Sequence, residues 1–208
     1  MRNIIGIFGL ICSGKSSFSK MLAENIDALY IDADKIGHNA LVEKKDDILK
    51  IFYNDDILDS DNNIDRKKLG NIVFNNKEKL KNLESISHSY IFDEIKNIIN
   101  STDRSIVIEA ALIMRTDIYK LCNSLIYVNT KTSTIIKRMK KTRNISELKA
   151  RKILKAQRDV KNKKLYSDII VNNMKDYNNL CIIAKKLGMY YDCKQRRVVK
   201  QKRKRIYY

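Results

Sequence analysis

The chain has 208 residues, 44% of them hydrophobic and 32% charged, with a formal net charge of +18 and no proline. These proportions exclude a fibrous repeat and wholesale disorder, and the length suits one α/β domain with inserted subdomains. No apolar run approaches the ~18 residues of a membrane span, MRNIIGIFGL is too short for a signal-peptide core, and Cys12, Cys122, Cys181 and Cys193 form no CxxC pair, so a soluble cytoplasmic protein with reduced thiols is expected.

In chain order, residues 3–8 (NIIGIF) are a short β-branched and aromatic run ending at Gly9, the pattern of a buried parallel strand. From Gly14 the sequence reads as a helix with Phe18, Met21 and Leu22 on one face. A second strand over 28–31 runs into Asp32-Ala33-Asp34. Strand, tight loop, helix, strand opens a doubly wound sheet. Residues 35–104 read as a polar helical insertion, interrupted by an Asp- and Asn-rich irregular stretch over 54–63. Further strands are expected over 105–109 (SIVIE), 124–128 (SLIYV) and 167–171. Between the last two come a basic helix over 132–140 and another beginning near Asn144 or Ser146, either of which can cap it. A last amphipathic helix over 175–187 is expected to stop at Gly188.

Gly9-Leu10-Ile11-Cys12-Ser13-Gly14-Lys15-Ser16, followed by Ser17, matches G-x-x-x-x-G-K-[ST] without a mismatch. Such a loop turns its backbone N–H groups inward around a phosphate, and glycines at both ends permit the dihedrals and the close approach. Lys15 then reaches the β and γ oxygens, Ser16 offers a hydroxyl to Mg²⁺, and the following helix presents its positive end. The strand before and the helix after supply the context that the motif requires. A GTPase would carry a guanine-specifying N/TKxD element, which neither residues 129–132 (NTKT) nor 75–78 (NNKE) provide. What remains is a small kinase that uses ATP and Mg²⁺.

With these residues in hand the chain resembles the dephospho-coenzyme A kinase family. The landmarks, over roughly residues 4 to 187, are the phosphate loop, Asp32-Ala33-Asp34 after strand two, residues 82–88 (NLESISH), Ile108-Glu109-Ala110-Ala111-Leu112, Arg138 with Arg143, Gln157, and residues 167–173 (SDIIVNN). The resemblance implies a P-loop NTPase fold: a mostly parallel five-stranded sheet flanked by helices, with a helical substrate-binding insertion and a helical lid. It implies one kinase domain over 1–193, with core segments about 1–34, 105–137 and 167–188, the acceptor insertion about 35–104 and the lid about 138–166. It also implies ATP-dependent phosphorylation of the ribose 3′-hydroxyl of dephospho-CoA. Carried over by residue, Lys15, Asp34 and Arg138 would be catalytic, Asp34 orienting or deprotonating the hydroxyl and Arg138 meeting the transferring phosphoryl. Asp34 also reads as a cap of the following helix. Arg143, Asn172 and Asn173 would border the nucleotide, while His88 and Leu112 would shape the acceptor site. A histidine closing a helix ordinarily packs, so no catalytic role is given to His88. Asp32 reads as a structural residue or as a magnesium ligand through water. Glu109 reads either as such a ligand or as the charged end of a strand.

The chain departs from the family pattern at Leu10 and Cys12, where glycines are usual, and at Ser89 and Ala111, where prolines are usual. Arg115 stands in place of an acid and Lys163 in place of a lid arginine. Two other readings remain: a nucleoside or nucleotide kinase of the thymidylate type, and an NTP-gated nucleic-acid-binding protein. The latter would use the tail over 194–208, where Lys194, Arg196, Arg197, Lys200, Lys202, Arg203, Lys204 and Arg205 occur without an acid. No aromatic platform of recognisable spacing accompanies that run, so nucleic acid is disfavoured as a partner, though the tail leaves it open.

Overall fold

The computed structural model describes residues 2–174, 177–196 and 206–207. The β-branched runs become β1 (Ile4–Phe8), β2 (Leu29–Asp32), β3 (Ile106–Glu109), β4 (Ser124–Asn129) and β5 (Ile169–Asn172). All pair in parallel, in the order β2-β3-β1-β4-β5, and a two-residue β6 (Ile206–Tyr207) extends the edge beside β5. The five expected strands are therefore present, and a short segment of the C-terminal tail adds a sixth beside the last of them. Of that tail, Lys194 and Arg196 lie in the last helix. Arg197, Lys200, Lys202, Arg203, Lys204 and Arg205 fall outside the described residues.

By backbone contacts the chain divides into two compact units, residues 1–32 with 99–208, and residues 33–98. In the first, α1 (Lys15–Asn25) and α9 (Tyr177–Arg196) build the main core. Phe18, Met21 and Leu22 of α1 and Leu180, Ile183, Ala184, Leu187 and Tyr191 of α9 pack on Ile5, Ile7, Ile126, Val128, Ile169 and Val171. The strand residues alternate, so that one face of the sheet meets these helices. The Tyr191 and Ser124 hydroxyls share a buried hydrogen bond of 2.7 Å. Helix α9 does not stop at Gly188 but continues to Arg196. Gly188 serves close packing instead: a Cβ there would lie 3.0 Å from Asn25 Cβ and 3.5 Å from Ile26 Cγ2. Helices α6 (Thr132–Arg143), α7 (Glu147–Ala156) and α8 (Arg158–Asn162) fill the segment between β4 and β5. Ser146 is the cap of α7, accepting from Lys149 N, whereas Asn144 closes α6 in the left-handed conformation.

The second unit holds α2 (Ala33–Glu43), α3 (Lys45–Ile51), α4 (Arg66–Asn75) and most of α5 (Lys77–Asn100), around a core of Ile48, Phe52, Ile57 and Leu69. The Asp- and Asn-rich stretch is irregular, as its composition predicts, and Asp65 ends it by capping α4. Backbone N–H groups of Lys67 and Lys68 donate to that carboxylate and hold it below its ordinary pKa. His88 does not close a helix: α5 runs straight through it for 24 residues. With Ser89 in place of proline, nothing removes the N–H or clashes with the preceding turn, so the helix continues.

Gly6 in β1 marks a tight spot. A Cβ at this position would lie 2.6 Å from Ile113 Cδ1, 2.8 Å from Cys122 Sγ and 2.8 Å from Leu125 Cδ2. The Cys122 thiol donates to Ile118 O at 3.4 Å, and burial pushes its pKa up to about 12. Gly6→Ala is predicted to destabilise the protein by ~1–3 kcal/mol through overpacking. At ~2–4 °C per kcal/mol for a chain of this size, the loss is readable as a fall in Tm by calorimetry. An unchanged or raised Tm would show that the neighbours yield without cost.

Candidate active site

Every parallel strand delivers its C-terminal end to the same edge of the sheet, where an open α/β sheet binds ligands. β1 ends in the glycine loop and, on its two sides, β3 ends in Glu109 and β4 in Asn129, with Thr130 next along the chain. Beyond them β2 ends in Asp32, which registers with Glu109, and β5 ends in Asn172.

The loop is shaped by where its carbonyls go. Leu10 O accepts from Ser13 N at 3.1 Å and Cys12 O from Arg138 Nη1 at 3.2 Å. Ser13 O accepts from both Thr130 Oγ1 at 2.8 Å and Asn173 Nδ2 at 2.7 Å. Thr130 Oγ1 also lies 3.3 Å from Asn173 O, and Asn173 N donates to Asn129 O at 2.8 Å. Gly14, at φ 91°, admits no side chain, because a Cβ would lie 2.2 Å from Asn173 Nδ2. At Gly9 a Cβ would come within 2.7 Å of Val128 O. Cys12 adopts φ 56°, a left-handed conformation for which glycine is the easier residue. Gly14 gives the first turn of α1 no side-chain cap. The combination of engaged carbonyls and an uncapped helix start leaves N–H groups for an anion.

Beside this cradle stands a polar cluster centred on a buried carboxylate. Glu109, 3% exposed, accepts from Ser16 Oγ at 2.5 Å and from Lys15 Nζ at 3.1 Å on Oε1, and from Tyr30 Oη at 2.6 Å on Oε2. The two side chains that the loop motif assigns to phosphate and metal thus share one carboxylate.

The helical segment between β4 and β5 touches the loop at a second point, where Gln157 Oε1 accepts from Ile11 N at 3.0 Å. Next to it a cavity of about 390 Å³ is lined by Leu10, Thr132, Leu154, Lys155, Arg158 and Lys161. Among the described residues no acid lines this cavity. Arg115 and Lys163 both have partners in this structure. Arg115 Nε pairs with Asp159 Oδ2 at 2.7 Å, which holds the Asp159 carboxyl below its ordinary pKa, and Lys163 Nζ donates to Met114 O at 3.3 Å.

Of the residues singled out from sequence, the structure gathers Gly9, Leu10, Ile11, Cys12, Ser13, Gly14, Lys15, Ser16, Glu109, Arg138 and Asn173 around the loop. Asn172 sits one position back, its Oδ1 accepting from Asn129 Nδ2 at 2.8 Å. Ser17 is exposed in the first turn of α1, and Arg143 is exposed in the last turn of α6. Asp34 is exposed in the first turn of α2, two residues beyond β2, and His88 is half-buried in α5. Leu112 is half-buried in the turn after β3, its carbonyl accepting from Arg115 N and Thr116 N. Thr130, Tyr30 and the cavity cations went unmarked, because only tertiary pairing gives them a role. For Thr130 the available signal was its place directly after a strand end.

The model of the family described as Dephospho-CoA kinase matches residues 3–179. A dephospho-CoA kinase of Borreliella burgdorferi is 38% identical over 186 residues, covering 88% of this chain and 90% of its own. One from Fusobacterium nucleatum is 36% identical over 181 residues, covering 85% and 92%. Among solved structures, a dephospho-CoA kinase from Campylobacter jejuni superposes with TM-score 0.70 at 29% identity, covering 95% of this chain and 100% of its own. A shikimate kinase from Bacteroides thetaiotaomicron, at TM-score 0.58 and 12% identity, covers 91% and 98% and shares the fold. With the family match spanning the residues that build the loop, the carboxylate cluster and the helices between β4 and β5, the chain belongs to the dephospho-CoA kinase family.

Proposed function

We propose that the protein transfers the γ-phosphoryl group of ATP to the ribose 3′-hydroxyl of dephospho-CoA, giving coenzyme A and ADP, the last step of coenzyme A biosynthesis. The observation that carries the nucleotide half of this reading is the glycine loop, whose carbonyls are engaged while the start of α1 is uncapped. Family membership carries the acceptor half. The four free thiols fit a cytoplasmic enzyme.

Phosphoryl transfer requires positioning and charge stabilisation more than covalent chemistry. The loop amides and Lys15 hold the β and γ phosphates. Lys15 leaves its 3.1 Å contact with Glu109 to do so, exchanging one anion for another. Ser16 Oγ and, through water, Glu109 fit a Mg²⁺ ion, which keeps few protein ligands and would neutralise charge between the phosphates. Asp32, in register with Glu109, is assigned to the same outer shell. Asp34 accepts a hydrogen bond from the 3′-hydroxyl, aligns it for in-line attack and takes its proton. Arg138 meets the transferring phosphoryl, and we add Lys155, Arg158 and Lys161 of the lid as cations that offset its charge. Asn172, Asn173 and Arg143 border the nucleotide, while His88 and Leu112 shape the acceptor site. We assign acceptor binding to the insertion over about 35–104, closure to the lid over about 138–166, and no catalytic part to residues 194–208.

A coupled assay of ADP release with and without dephospho-CoA tests the whole reading. Release that depends on dephospho-CoA is expected, and release stimulated instead by thymidine or thymidylate would overturn the acceptor. Asp34→Asn is predicted to lower kcat by ~10²–10⁴ while leaving the KM for ATP within a few-fold. Near wild-type turnover of that variant would remove Asp34 from the chemistry. Arg158→Ala is predicted to lower kcat by ~10-fold or more, with a smaller change for Lys155→Ala, whose point charge lines the same cavity. Unaltered kinetics in both variants would restrict the lid's contribution to Arg138.

A further inference from the structure

We propose that Tyr30 is a positioning residue of this kinase, acting through Glu109 to preset the metal and phosphate end of the site. The inference rests on the nucleotide reading given above and goes beyond it. Glu109 is 3% exposed, and a carboxylate so enclosed requires donors on its lone pairs. Oε1 takes two of them, Ser16 Oγ and Lys15 Nζ. Both are the groups that a bound nucleotide recruits, so both leave or share that contact during the reaction. Oε2 takes the third, Tyr30 Oη at 2.6 Å, a short bond of the charge-assisted kind.

Tyr30 stands outside the loop motif that holds Lys15 and Ser16. It lies on β2 opposite Val107 of β3, and Asp32, two residues on, registers with Glu109, so the phenol spans one strand spacing to reach the carboxylate. Its ring packs against the main core, and the Lys20 ammonium lies 5.9 Å from the ring centroid. The hydroxyl is therefore fixed by strand pairing and packing before any ligand arrives. When Lys15 and Ser16 turn toward phosphate and metal, Tyr30 keeps hold of Oε2 and leaves Oε1 directed at Ser16. Fixing a carboxylate beside a metal position in this way lowers the reorganisation needed when the metal binds.

Tyr30→Phe removes one oxygen and keeps the ring. Binding of a non-hydrolysable ATP analogue is measured by calorimetry with and without Mg²⁺, alongside the Mg²⁺ concentration that gives half-maximal ADP release. The variant is expected to bind the analogue about 10-fold more weakly in Mg²⁺, to bind it equally well without Mg²⁺, and to need about 10-fold more Mg²⁺ for turnover. In a Glu109→Gln background the same substitution is expected to add no further loss. Equal weakening with and without Mg²⁺ would reveal a structural defect instead, and an unchanged Mg²⁺ dependence, or a full additional loss in the Glu109→Gln background, would also overturn the proposal. Because analogue binding needs no acceptor, a failure to phosphorylate dephospho-CoA would sink the functional reading while leaving this measurement intact.

Discussion

A loop can point its N–H groups at one phosphate only if its carbonyls are held somewhere else, and the rest of this structure is arranged around that requirement. The donors come from far along the chain. Thr130 follows β4, Asn173 follows β5 and Arg138 rises from α6, and together they occupy the carbonyls of Ser13 and Cys12. The strand order makes this economical. With β1 central, between β3 and β4, the loop lies one strand from Glu109 on one side and one strand from Thr130 on the other. Sheet topology thus brings an acid to the Lys15 side of the loop and neutral donors to its Ser13 carbonyl.

The same constraint explains how the loop accepts residues that look unsuited to it. A left-handed conformation disfavours a residue with a Cβ by ~1–2 kcal/mol, and Cys12 occupies one at φ 56°. The bond from Arg138 to its carbonyl offsets part of that cost, since it needs the peptide turned this way. Leu10, 6% exposed, lines the cavity under the lid, and at the two positions where a side chain would collide with backbone or with Asn173 the glycines are retained.

Much of this was readable from sequence because it depended on local pattern. Short β-branched runs gave the five strands, and the spacing of two glycines, a lysine and a serine gave the loop. The misreadings have equally local causes. Gly188 has the chemistry of a helix stop, but its small size is used against Asn25, and that contact cannot be seen without knowing that α9 crosses the end of α1. His88 was expected to end a helix, a habit that depends on a following proline which this chain lacks. Thr130 and Tyr30 acquire their roles from partners 117 and 79 residues away, at which range composition and periodicity are silent. The separation of lid cations into those on the loop carbonyl and those around the cavity depends on helix packing, and Lys155, Arg158 and Lys161 are ordinary surface residues until α7 and α8 are placed.

The ties that hold the helices between β4 and β5 differ in kind from those that hold the carboxylate cluster. Lys15 and Glu109 are 11% and 4% exposed at the side chain, so breaking their contact without replacing it leaves a buried charge unmet. The Arg115 to Asp159 pair is 36% and 38% exposed, a setting in which an ion pair contributes only ~0–1 kcal/mol. Lys163 adds one long hydrogen bond to a carbonyl and Gln157 one to a loop amide. The helical segment between β4 and β5 is thus fastened by contacts that each contribute little. The carboxylate cluster, by contrast, needs replacement donors before any of its contacts is given up. Strand ends thus hold the Glu109 cluster firmly, while the helical segment between β4 and β5 is held at the loop by weak, replaceable contacts.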